Sequence, residues 1–80
     1  MTRAEIIDEL VRRHESRARA TIYADAFLEY QEASANIQMN GTIVQHPRTS
    51  NPIENPYLVL RDRAGRKLEE MKRVDADFLW

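Results

Sequence analysis

Residues 18–39, ARATIYADAFLEYQEASANIQM, decide the fold. Ile22, Tyr23, Ala26, Phe27, Tyr30, Ala33 and Ile37 recur at steps of three and four, the spacing that gathers side chains on one side of an α-helix. Neither glycine nor proline interrupts them. The spacing therefore predicts one unbroken helix, roughly 30 Å long at ~1.5 Å per residue. Asn40-Gly41 ends it, because glycine accepts the left-handed conformation that a helix C-terminus commonly needs.

Before this segment, Thr2-Arg3-Ala4-Glu5 has the form of a capping box, a threonine cap answered by glutamate three residues on. Ile6, Ile7, Leu10 and Val11 follow at helical spacing, and Asp8/Arg12 and Glu9/Arg13 offer i,i+4 pairs. A short first helix is expected over about residues 3–15. The stretch from His14 to Arg19 is either a turn or a continuation into the next helix.

After it, Thr42-Ile43-Val44-Gln45 is a β-prone run long enough for one small strand or an extended edge. His46 to Pro56 holds all three prolines among Asn, Ser and Thr and reads as a loop. Asn55-Pro56 has the order of an N-cap followed by proline in the first helical position. A last helix is expected over about residues 56–74, with Tyr57, Leu60, Ala64, Leu68 and Met71 along one side. Phe78 extends that side if the helix continues. Gly65 inside it costs about 1 kcal/mol relative to alanine and reads as a tolerated residue more than as a site of close helix approach. The tail, Asp75-Ala76-Asp77-Phe78-Leu79-Trp80, gathers three large apolar residues, Phe78, Leu79 and Trp80. They are expected to dock either within the chain or onto a partner.

An 80-residue chain makes one small domain, here residues 1–80. Chains of this size bury only about 60–65% of their extended surface and usually gain stability from disulfides, a metal or oligomerisation. There is no cysteine, and His14 and His46 are far apart, so no metal or other cofactor is expected and self-association is the remaining route. Tyr23, Phe27, Tyr30, Tyr57, Leu60, Leu68 and Met71 are the candidates for core and oligomer contacts. The stripe Tyr23, Phe27 and Tyr30 has the spacing of core packing more than of a base-stacking surface.

The net charge is −1, with charged residues making up 31% of the chain, so nucleic-acid contact would have to come from a local patch. Arg12, Arg13, Arg17 and Arg19 form the best candidate for binding DNA phosphates; the competing reading is a solvated face paired with Asp8, Glu9 and Glu15. The series Arg61, Arg63, Arg66, Lys67, Lys72 and Arg73 has more acid interspersed and ranks lower. No phosphate loop, metalloprotease motif or cysteine nucleophile is present, and Glu69-Glu70 point different ways on a helix, so an enzyme is not expected. No stretch is long and apolar enough to span a bilayer, so no membrane partner is expected and a cytoplasmic protein is the default.

The series Tyr23-x-x-x-Phe27-x-x-Tyr30-x-x-Ala33, then Gly41, Ile43-Val44, Asn55-Pro56-Tyr57-Leu58, Leu68 and Met71 resembles the P27 family of phage small terminase subunits over about residues 20–73. Asn55-Pro56-Tyr57-Leu58 is its most telling piece. The resemblance implies a non-catalytic, ring-forming protein of viral DNA packaging. Its partners would be double-stranded DNA, the large terminase subunit that carries ATPase and nuclease, and further copies of itself. Where the family pattern usually runs on into a Gly-Leu-Thr-Pro-like segment, Val74 to Trp80 stands instead, and the N-terminal segment is too short for a separate DNA-binding domain. The expectation is a short version of the family: all-α, a hairpin of two long helices with a short N-terminal helix and a small extended segment in the connection, assembling as an oligomer. The alternatives are a helical adaptor or packaging modulator that docks through Phe78, Leu79 and Trp80 without binding DNA directly, and, with less support, a small dimeric DNA-binding regulator. The long connection between the last two helices argues against a helix-turn-helix.

Overall fold

A computed structural model describes all 80 residues. Three helices, α1 (Arg3–Arg12), α2 (Arg17–Asn40) and α3 (Tyr57–Glu70), carry most of the chain. Strands β1 (Ile43–Gln45) and β2 (Pro52–Glu54) form an antiparallel hairpin between α2 and α3, with Val44 opposite Ile53. The expected hairpin of two long helices, short first helix and extended connection are all present.

The capping box closes as its sequence requires. Glu5 N–H donates to Thr2 Oγ1 at 3.2 Å, and Thr2 N–H donates back to the Glu5 carboxylate at 3.1 Å. Ile6, Ile7 and Leu10 are buried, as their spacing predicts. The helix nevertheless stops at Arg12, three residues short of the expected end at 15. His14 lies at φ 73°, its N–H donates to Val11 O, and Glu15 N–H reaches back to Leu10 O at 3.1 Å. That is a Schellman ending, with histidine where glycine usually stands. Ser16 then caps α2 by accepting from Arg19 N–H.

Along α2 the buried residues are Ala20, Tyr23, Ala24, Ala26, Phe27, Ala33 and Ile37. Ile22, expected on the apolar stripe, is 46% exposed, whereas Ala24 is fully buried. The helix packs against both α1 and α3, so its buried surface spreads toward Ala20 and Ala24 and leaves Ile22 at the margin. Gly41 ends it at φ 84°, donating to Ile37 O.

Two further expectations change. The proline-rich loop contains a strand, because Pro52 sits at the outer end of the hairpin, where its missing donor costs no ladder bond. His46 organises the turn, its Nδ1 accepting from Arg48 N–H and Thr49 N–H. The last helix, expected to reach 74, unwinds after Glu70 into turns, with Val74 N–H bonded to Met71 O and Leu79 N–H to Ala76 O. These turns bury Met71, Val74 and Ala76 in the core instead of carrying them onward along a helix axis.

That core lies at one end of the molecule. Its cluster draws Ile6, Ile7 and Leu10 from α1, Ala20 to Phe27 from α2, Leu68 from α3, and Met71, Val74 and Ala76 from the tail. Toward the hairpin only Ala33, Ile37, Ala64 and Asn55 are buried. The chain is accordingly long and thin, 49 × 22 × 19 Å. Its radius of gyration of 15.1 Å exceeds the roughly 12 Å of a compact domain of this length.

Asn55 holds this thin arm together. It is 2% exposed and every polar group on it is satisfied. Its N–H donates to Thr42 O and its carbonyl accepts from Leu58 N–H, tying the hairpin base to the first turn of α3. Its Oδ1 accepts from Tyr57 N–H at 3.0 Å, so it caps the helix, and Pro56 already has helical dihedrals. Its Nδ2 donates to Asn36 Oδ1 and Gly41 O, at the end of α2.

Candidate nucleic-acid interface

The four arginines singled out in the sequence, Arg12, Arg13, Arg17 and Arg19, lie together around the α1–α2 turn, and each has a carboxylate partner. Arg12 holds Glu9 at 2.6 Å, Arg17 faces Asp8 at 3.8 Å, and Arg19 meets Glu15 at 3.4 Å. The expected Asp8/Arg12 pair is thus replaced by Glu9/Arg12 and Asp8/Arg17, while Glu9/Arg13 forms at 3.2 Å.

Arg13 does more. Because the tail curls back, its guanidinium also meets Asp75 at 3.5 Å and Asp77, and lies 4.7 Å over the Phe78 ring. The hydrogen bond it donates to Glu9 and the charges of Asp77 and Asp75 raise its pKa against the desolvation that would lower it. Around this turn the four guanidiniums therefore meet five carboxylates, Asp8, Glu9, Glu15, Asp75 and Asp77. The second oxygen of Glu15 is buried without a partner.

Helix α3 and the turn after it present the opposite balance. Arg61, Arg63, Arg66, Lys67, Lys72 and Arg73 stand against Asp62, Glu69 and Glu70, and no ion pair within 4.0 Å involves any of the nine. Asp62 and Arg66 have the spacing of a helical pair without closing one. The corresponding spacing from Glu69 to Arg73 is lost because the helix ends at Glu70. Arg63, Arg66 and Lys67 are exposed and share with Val59, Asp62 and Glu70 a shallow outward groove of about 420 Å³.

A larger groove, of about 760 Å³, opens between α2, α3 and the tail, with Tyr23, Tyr30, Leu68, Val74 and Trp80 among its walls. Trp80 closes its end. The indole N–H donates to Tyr23 Oη at 2.8 Å, and the ring meets Phe27 edge-on at 4.9 Å and Tyr30 at 6.3 Å. Phe78 and Leu79 pack half-buried against the core of their own chain, while Trp80 stays 69% exposed. Among the other candidate core or oligomer residues, Tyr23, Phe27, Leu68 and Met71 are buried, and Tyr30, Tyr57 and Leu60 are half-buried. A Cβ on Gly65 would meet the Tyr30 ring at 3.5 Å, ordinary contact, so the glycine is tolerated there and not required by close packing.

No group of three or more His, Asp or Glu side chains is placed to hold a metal ion, and no helix is long and apolar enough to cross a membrane. What the geometry defines is a slender helical hairpin with its core at one end, a cation-rich helix along one side and apolar side chains left bare at the other end. Residues 4–76 match the family model described as phage terminase, small subunit, and the chain belongs to that family. No curated protein and no solved structure matches it. Membership assigns the chain a part in phage DNA packaging and implies association with DNA and with the large terminase subunit.

Proposed function

We propose that this chain is a small terminase subunit of the P27 type, with residues 1–80 acting as one packaging unit. In this reading it is non-catalytic and forms a ring-like homo-oligomer in the host cytoplasm. The oligomer binds double-stranded DNA and presents it to the large, ATP-hydrolysing subunit. The observation that carries this reading is the family match across residues 4–76. The P27 assignment rests on the order Tyr23, Phe27, Tyr30, Gly41 and Asn55-Pro56-Tyr57-Leu58.

Self-association is supported by the thin arm. Met39 is 85% exposed and Ile43 and Val59 are also bare, at the end where few residues are buried. Packing copies side by side through such surfaces, with a rotation that closes, gives a ring. Repetition then multiplies a weak basic patch into many phosphate contacts. Binding of a fluorescent duplex across 50–200 mM salt tests the reading. Affinity should fall steeply with salt; negligible binding even at 50 mM contradicts it.

The exposed Trp80 favours a second reading, an adaptor that docks a partner through Phe78, Leu79 and Trp80 without touching DNA. Removing residues 78–80 separates the two. An adaptor of this kind loses its partner and a DNA-packaging ring keeps its duplex.

A further inference from the structure

We propose that double-stranded DNA lies on the outward side of α3, with Arg63, Arg66 and Lys67 as its phosphate contacts, and not on the arginines of the α1–α2 turn. The inference rests on the packaging reading and names the surface that reading needs. Charge balance separates the two patches. At the turn, the tail brings Asp75 and Asp77 onto Arg13, and together with Asp8, Glu9 and Glu15 they outnumber the arginines. A phosphate arriving there meets excess carboxylate and has to displace existing partners.

On α3 no exchange is needed. Arg63, Arg66 and Lys67 are exposed, point the same way from a regular helix, and have no carboxylate within 4.0 Å. In the groove they share, the three cations stand against Asp62 and Glu70, a net positive balance. Asp25 and Glu29 of α2 line the adjoining groove beside Arg63 and Lys67, and Asp25 is already held by Arg3. Neutralising each phosphate releases condensed counterions, so unpaired cations on a rigid element convert most directly into salt-dependent affinity. Double-stranded DNA, a regular array of phosphates, is the partner such a row fits; a base-specific contact is not required.

The test compares two triple variants, each confirmed folded by circular dichroism and matched to the unmodified protein in solution mass. The probe is a mixed-sequence duplex of about 30 base pairs, titrated from 50 to 200 mM salt. Arg63→Gln/Arg66→Gln/Lys67→Gln is expected to weaken binding at least tenfold at 100 mM salt and to flatten the log–log salt slope by about 0.9 for each phosphate no longer neutralised. The charge-keeping Arg63→Lys/Arg66→Lys is expected to retain most of the affinity. Arg12→Gln/Arg17→Gln/Arg19→Gln should change affinity by less than about twofold. Loss of binding in the turn variant with retention in the α3 variant overturns the inference and leaves the packaging reading standing, as does retention in both. Failure of the unmodified protein to bind the duplex overturns both.

Discussion

The carboxamide nitrogen of Asn55 donates to Oδ1 of Asn36 at 3.0 Å, fastening the first turn of α3 to the last turns of α2. The same nitrogen also reaches Gly41 O, and the oxygen beside it caps α3, so one buried side chain closes the whole β-hairpin excursion.

Asn55→Ala leaves Asn36 Oδ1, Gly41 O and Tyr57 N–H without their partner. Each of these hydrogen bonds contributes about 1 kcal/mol, so urea denaturation should show a loss of about 2–3 kcal/mol. Asn55→Asp keeps the cap on Tyr57 but sets a carboxylate against two oxygens, and should be at least as damaging. A loss below about 0.5 kcal/mol for either substitution would show that the arm is held by something else.

His14 holds the end of α1 at φ 73°, a region that costs most side chains roughly 1–2 kcal/mol. His14→Gly keeps both Schellman hydrogen bonds and removes the strain. It should raise stability by about 1 kcal/mol, read as a shift of the denaturation midpoint at unchanged slope. Destabilisation would mean that the histidine side chain itself is needed there.

Arg13 and Tyr23 are expected to secure the tail. The chain has a single tryptophan, so the indole N–H gives one resolved proton resonance. Its bond to Tyr23 Oη should slow exchange with solvent. Tyr23→Phe should abolish that protection and cost about 1 kcal/mol. Arg13→Ala, which frees Asp75, Asp77 and Phe78, should abolish it as well. Protection that survives in the Arg13 variant would separate the tail from α1.

The Glu5 carboxyl is held below its ordinary pKa by the hydrogen bond from Thr2 N–H, then by the Thr2 side chain. A carboxyl depressed in the folded state adds stability above its unfolded pKa, and that stability is lost as pH falls through the folded value. Amide protection in the first turn of α1 should therefore decline only below the usual range of about 4.3. In Thr2→Ala, Glu5 should titrate closer to that range. Because alanine keeps the backbone N–H donor, an unmoved midpoint would show that the Thr2 side chain adds nothing to the depression.

Much of this architecture is legible in the sequence, because it is written in neighbouring residues. The Tyr23–Phe27–Tyr30 stripe, the Gly41 stop, the Thr2/Glu5 box and the Asn55-Pro56 cap all act within a turn or two of themselves. What escapes a sequence reading depends on partners far apart in the chain. Arg13 meets Asp77 only because α3 unwinds at Met71, so the balance of charge around the α1–α2 turn is invisible in the sequence. Asn55 reads as a cap, but its burial depends on Asn36 and Gly41 across the hairpin. His14 offers no glycine to mark the end of α1, and Ile22 looks apolar by spacing although α1 and α3 share α2 on sides that exclude it. The lower rank given to α3 counts its acids by proximity in sequence, whereas in the fold they leave its cations unpaired.

The proposed packaging role depends most on the proposal that copies of this chain cover one another's bare arms. Sedimentation equilibrium over a wide concentration range tests that proposal most directly. The expected result is a particle of many 9.4 kDa protomers, well above a dimer. A cooperatively folded species that stays at 9.4 kDa at high concentration would contradict it.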